Sequence, residues 1–137
     1  MPTTLPLVSP DLHVLIYEGF EWTGGAYVVR AVDEAGQPFR VSRLLGTDET
    51  GVLYIGKAKV FGSRVVHLRK CVLPKFKTSN HAVAYKLDNH DGIRSAFPPE
   101  CMVVDLYGDQ DPRGKEKALL LEYFYAFGES PPFNKSD

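Results

Sequence analysis

Glu122 stands in Lys117–Gly128, KALLLEYFYAFG, where apolar residues fill nearly every position. A helix of that composition is expected to be buried, which would lodge Glu122 in an apolar setting. A carboxylate there forfeits its hydration unless it is paired or binds a cation. One outcome is a structural ion pair, with Arg64 for instance. The other is a divalent-ion site, since Mg²⁺ often takes only one or two protein oxygens, keeps several waters and completes its shell with phosphate. Tyr27 and Tyr54 each lie in a short apolar run beside a glycine, Gly25 before the first and Gly56 after the second. Small residues there let a ligand approach the backbone, although a strand tyrosine is ordinarily core or rim. In the run Tyr54–Lys59, YIGKAK, glycine and two lysines (Lys57 and Lys59) precede a helix carrying Arg64 and, three residues on, His67. Side chains three apart share a helix face. These are the ingredients of a phosphate site without the G-x-x-x-x-G-K-[ST] spacing of a nucleotide-binding loop, so nucleotide hydrolysis is disfavoured.

Charge supports a polyanionic ligand. The formal net charge is −1, yet between Thr50 and Leu87 there is no Asp or Glu, while Lys57, Lys59, Arg64, Arg69, Lys70, Lys75, Lys77 and Lys86 all fall there. Such a one-sign block is either a solvated basic face or the footprint of a nucleic acid whose counterions Lys and Arg displace. Cys71 and Cys101 fit no metal-binding spacing and are expected to be reduced thiols in a cytoplasmic protein. The first ten residues lack the basic start and apolar stretch of a signal peptide. No apolar run approaches the roughly 20 residues of a spanning helix, so no membrane role is expected.

The elements that must position these residues follow from period and punctuation. At 137 residues the chain is expected to form one domain. Residues 1–12, rich in proline, read as a loose arm within an N-terminal segment 1–23, and 12–17 as a short strand or helical turn. Ala26–Ala31 reads as a strand after the Gly24-Gly25 turn. Residues 33–50 form a long connection in which Phe39–Leu45 is a further strand candidate. Val52–Ile55 reads as a buried strand broken by Gly56. A helix is expected over Val60–Lys70, with Phe61, Val65 and Leu68 as its apolar stripe. Ser79 is a candidate N-cap for a helix over His81–Leu87, renewed over Gly92–Phe97 and ended by Pro98-Pro99. Cys101–Tyr107 is the third strand. Asp111-Pro112 reads as an N-cap and first helical residue, and Gly128 as the C-terminal cap. The expected fold is α+β, a small three-stranded mixed or antiparallel sheet flanked by helices.

Together these features resemble the GIY-YIG nuclease family. YIGKAK looks like the second half of its signature and is similar to the bacterial excision-repair incision subunit. Arg64, ten residues beyond Tyr54, falls where the family places its helix arginine. Ala118–Asn134, ALLLEYFYAFGESPPFN, resembles the last motif, with Glu122 at the metal-binding glutamate and Asn134 at the closing asparagine. Gly25-Ala26-Tyr27 would be the first half, with Ala where the family prefers Ile or Val. The long gap between the two tyrosines is similar to that in restriction-enzyme members. The resemblance covers 24–134, with 33–50 as an insertion and 135–137 as a tail.

The resemblance implies Mg²⁺-dependent hydrolysis of phosphodiester bonds in double-stranded DNA, with Mn²⁺ able to substitute. Glu122 would hold the metal, Tyr27 or Tyr54 would orient or deprotonate water, and Arg64 would clamp the phosphate. Lys57 would favour a phenolate or shield the phosphate, His67 would make a second contact or relay a proton, and Asn134 would fix the shape of the site. Lys59, Arg69, Lys70, Lys75 and Lys77 would track the DNA backbone. Restriction-like cutting of both strands would favour a homodimer on DNA. A structure-selective repair nickase and a non-catalytic nucleic-acid-binding module on the same scaffold are the alternatives.

Overall fold

The computed structural model describes residues 2–73, 83 and 91–134. Helices and a sheet alternate in an α+β arrangement. The strands are β1 (Thr3–Pro6), β2 (Gly25–Ala31), β3 (Val41–Arg43), β4 (Gly46–Asp48), β5 (Val52–Ala58) and β6 (Met102–Gly108). The helices are α1 (Leu12–Phe20), α2 (Phe61–Val72), α3 (Asp91–Ala96) and α4 (Pro112–Phe127). The main sheet is antiparallel throughout, in the order β1-β6-β2-β5, and β3 and β4 form a separate hairpin.

The fourth strand comes from residues expected to be a loose arm. Thr3 to Pro6 pair with Leu106 to Val103 along the edge of β6. Leu7 is then wholly buried, and α1 buries Leu12 and Ile16. Prolines at an edge strand cost the ladder nothing where the missing N–H would face outward. Alternation was too short there to register as a strand in sequence. The hairpin β3–β4 lies within the expected strand 39–45 and extends past it.

One bulge sets up the functional face. Val29 faces Tyr54 and Arg30 faces Val52, leaving Leu53 unmatched. The extra residue lets Leu53 and Tyr54 both meet the core formed by Tyr27, Val29, Val104 and Leu106 with α1 and α2. Val52 and Ile55 point the other way, to Val28 and the α4 residues Leu119, Leu120, Tyr123 and Phe127. A bulge re-aims side chains in this manner at the cost of one ladder position. Helices therefore cover both faces, with α1 and α2 on one and α4 on the other. The stripe Phe61, Val65 and Leu68 is fully buried, as its spacing predicts.

Helix α4 begins and ends as its sequence predicts. The Asp111 side chain accepts a hydrogen bond from Gly114 N at 3.1 Å, Pro112 follows, and Gly128 closes the helix with φ 75°. Its burial is not as predicted. Tyr123 is buried, whereas Leu121, Phe124 and Tyr125 are exposed. The helix lies on a single sheet face and buries one stripe only. Strand β5 also runs through Gly56 to Ala58 rather than stopping there. The candidate cap Ser79 and most of the helix 81–87 lie outside the described residues. Among the described residues, no helix is long and apolar enough to cross a membrane.

Candidate active site

Tyr27 and Tyr54 share a face because β2 and β5 pair antiparallel, Tyr27 opposite Gly56 and Tyr54 opposite Val29. Their ring centroids lie 6.0 Å apart. The missing side chain of Gly56 makes this possible. A Cβ added there would sit 2.6 Å from Tyr27 Cζ and 2.7 Å from both the Tyr27 hydroxyl and Tyr54 Cε2. The space beside Gly56 is thus filled by the two phenols, which makes the glycine a packing requirement of the strand tyrosines.

Arg64 joins the pair from α2, close enough for its charge to act on both phenols. Burial pushes the Tyr27 phenol far above its ordinary range; the neighbouring Tyr54 adds to this and Arg64 opposes it. Burial also raises Tyr54, against the opposing charge of Arg64. The two rings pack against each other, so each phenol sits in the other's field as well as that of Arg64. Both phenols are protonated at neutral pH. Arg64, not Lys57, is the cation that acts on them. Tyr27 has no exposed surface, while Tyr54 and Arg64 are half-buried. Of the two tyrosines, only Tyr54 is open to a substrate or water.

Arg64 also borders a cleft of about 680 Å³ lined by Lys57, Lys59, His67, Asp111 and Arg113 among others. The first turns of α2 and α4 both enter this lining through Val60, Ser63, Arg64 and Pro112. Helix N-termini present free N–H groups and a positive dipole end, which favours anions. Among the described residues the one carboxylate in the lining, Asp111, is engaged as the cap of its own helix. His67 lies one turn from Arg64 on the cleft side, its Nε2 3.6 Å from Cys71 Sγ. Arg69 and Lys70, five and six residues beyond Arg64, fall on other faces of α2 and do not line the cleft. Lys75 and Lys77 lie outside the described residues.

Asn134 holds the strand beneath the phenols. Its Oδ1 accepts from Ile55 N at 3.0 Å and its Nδ2 donates to Ile55 O at 2.9 Å. Phe133 N donates to Leu53 O at 2.8 Å. Strand β5 is an edge of the sheet, and this C-terminal segment supplies the partner its outer side lacks.

The glutamate is where sequence and structure part. Glu122 is exposed, not lodged in an apolar interior. It lines a separate hollow of about 440 Å³ with Arg30, Asp105 and Tyr107 on the sheet face opposite the two phenols. Its charge acts on Tyr107. The carboxylate acting on Tyr54 belongs to Glu116. Glu116 is half-buried and lies on the sheet-facing stripe of α4, spaced 3, 4, 7 and 11 residues before Leu119, Leu120, Tyr123 and Phe127. That spacing was available in the sequence. Arg113 was also missed, because the one-sign block drew attention to residues 50–87.

Among the described residues no group of three or more His, Cys, Asp or Glu side chains is placed to share an ion. A Mg²⁺ that keeps most of its water needs only one or two protein oxygens, so a single glutamate of α4 would suffice to hold it. Comparison with models of known protein families, with curated proteins and with solved structures gives no match to this chain.

Proposed function

We propose that this chain is a metal-dependent endonuclease of the GIY-YIG type acting on DNA. The observation that carries the reading is the convergence of Tyr54 and Arg64 at the border of a cationic cleft entered by two helix N-termini. A phosphodiester in the cleft meets Lys57, Lys59 and Arg113 along its backbone and the planar fork of Arg64 at the scissile phosphate. Water forms the new P–O bond as the bond to the 3′ oxygen breaks and that oxygen takes up a proton. Tyr54, held protonated, orients the water through its hydroxyl, and Tyr27, packed against it, fixes its ring. Mg²⁺ held by a glutamate would neutralise charge on the phosphate and on the leaving oxygen. The charge of Glu116 reaches Tyr54, which supports it for that role, while motif spacing supports Glu122; neither lines the cleft itself.

Supercoiled plasmid incubated with the protein and Mg²⁺, against an EDTA control, tests the activity. Nicking or linearisation supports it. A mobility shift without cutting supports a binding module instead, a reading that the two protonated phenols keep in play. Glu116→Gln and Glu122→Gln, measured singly, assign the metal ligand: the true ligand loses cutting by at least about 100-fold, as loss of a charge-stabilising group does. Arg64→Ala is expected to abolish cutting while the fold persists. Near-normal cutting by Arg64→Ala would end the proposal.

A further inference from the structure

Beside the cationic cleft the chain exposes an aromatic pair that the fold does not use. Trp22 is 66% exposed and Tyr17 45% exposed, with ring centroids 5.3 Å apart in an edge-on arrangement. The turn presenting them is unusual. Glu21 has φ 52° and ψ −118°, a conformation that L residues rarely adopt. It is held by Glu21 N bonded to Tyr17 O at 2.8 Å and by Thr23, whose N–H and hydroxyl both donate to Phe20 O. Thr23 O in turn accepts from Phe61 N, the first residue of α2. The aromatic turn is therefore tied to the helix that carries Arg64.

A shallow hollow runs from Thr23, the residue after Trp22, to the cationic cleft. It is lined by Thr23, Gly24, Gly108, Asp109, Lys59 and Pro112, and the last two also line the cationic cleft. Gly24 packs so closely on Lys59 that an added Cβ would lie 2.5 Å from its carbonyl oxygen. Glu18 and Glu21 flank Tyr17 and Trp22 in the chain, and Asp109 lines the hollow, so the acidic charge on this side disfavours a phosphate. Two exposed aromatic rings beside acidic residues suit a group that is flat and uncharged.

We propose that Trp22, backed by Tyr17, stacks on an unpaired base of a DNA strand whose backbone lies in the Lys57–Arg64 cleft. A fully paired duplex keeps its bases stacked internally and offers none to the ring. The preferred substrate is then DNA with an unpaired or displaced nucleotide beside the cut, such as a flap, bulge or single strand. This rests on the cleft being a DNA site, but not on its cutting DNA.

Trp22 is the chain's single tryptophan, so its emission reports on this site alone. The full chain is titrated in EDTA with an oligothymidylate of about ten nucleotides, within the span that one small binding domain covers. A blunt duplex and the same duplex carrying a bulged nucleotide are run in parallel. Emission is expected to quench with the oligothymidylate and the bulged duplex. Affinities of the variants are read from the anisotropy of end-labelled DNA: Trp22→Ala should weaken both by about tenfold, the loss typical of one base–aromatic stack. Trp22→Phe should largely restore them, and blunt-duplex affinity should not change. Unaltered emission at saturation, or equal affinity of Trp22→Ala for all three, overturns the proposal. So does an emission shift that follows protein concentration without DNA, which would assign the rings to a second copy. Stacking without plasmid cutting would refute the nuclease and spare this inference; cutting with no effect of Trp22→Ala would do the reverse.

Discussion

Replacing Gly56 by alanine probes the arrangement most directly, because the added methyl enters the contact between the two phenols. Its Cβ would lie 2.6 Å from Tyr27 Cζ and 2.7 Å from Tyr54 Cε2. Carbon atoms rest at about 3.5–4.0 Å, so one or both rings must move by roughly 1 Å. Tyr27 is wholly buried and cannot swing outward. Overpacking of this kind costs about 1–3 kcal/mol. With a urea m-value on the order of 2 kcal/mol/M, the midpoint of unfolding should fall by about 0.5–1.5 M at constant slope. The half-buried Tyr54 has the freedom to yield, and it is the one of the two with exposed surface. A displacement of about 1 Å at a reacting group can cost about 100-fold in rate. Gly62→Ala is the control, since a Cβ there meets nothing within 4 Å. It should leave stability unchanged or raise it by up to about 1 kcal/mol, as an alanine does in a helix. Paired urea melts and plasmid-cutting rates decide the matter. If Gly56→Ala unfolds at the wild-type midpoint and cuts at the wild-type rate, the account of how the phenols are placed is wrong.

Three further outcomes follow from bonds around the site. Asn134→Ala removes both side-chain bonds to Ile55 and should cost about 1–3 kcal/mol in urea melts; an unchanged midpoint would mean that the edge of β5 is held without it. Tyr123→Phe takes one of four donors from the buried Asp48 carboxylate, the others being Thr50 N, Thr50 Oγ1 and Val52 N. A bond to a charged group is worth about 1.5–3 kcal/mol, and a loss well below that would show water taking the place of the hydroxyl. Tyr27, Tyr54 and Tyr123 all have phenols raised by burial. In the unfolded chain they ionise near pH 10, so the folded state holds more protons above that point and its stability declines as pH rises. The decline should be shallower in Tyr27→Phe than in the parent, and equal slopes in alkaline urea melts would count against the burial argument.

Periodicity and punctuation served well where a single local rule decides the outcome. The Asp111 cap, the Gly128 terminus and the stripe Phe61, Val65 and Leu68 depend on nearest neighbours along one element, and each stands in the structure as expected. The N-terminal strand depends on a partner a hundred residues away, Thr3 on Leu106, and four residues with a proline carry too little alternation to announce it. The bulge at Leu53 is likewise invisible locally, yet it aims Tyr54 toward Tyr27.

The exposure of Glu122 has a more instructive cause. Apolar composition around Glu122 suggests burial on all sides, but a helix lying on one sheet face buries only the residues that recur with its own turn. On α4 that recurrence is Leu119, Leu120, Tyr123 and Phe127, and counting back along it reaches Glu116, not Glu122. Leu121, Phe124 and Tyr125 supply the remaining hydrophobicity from the outside. The same logic explains Arg113. A run of like charge marks one wall of an anion site, whereas the facing wall comes from whichever distant helix the sheet order brings alongside, here the first turn of α4. Strand order, and not proximity in sequence, therefore decides which carboxylate and which cations can meet one phosphate. The Glu116 and Glu122 substitutions test that rule as much as they test the metal.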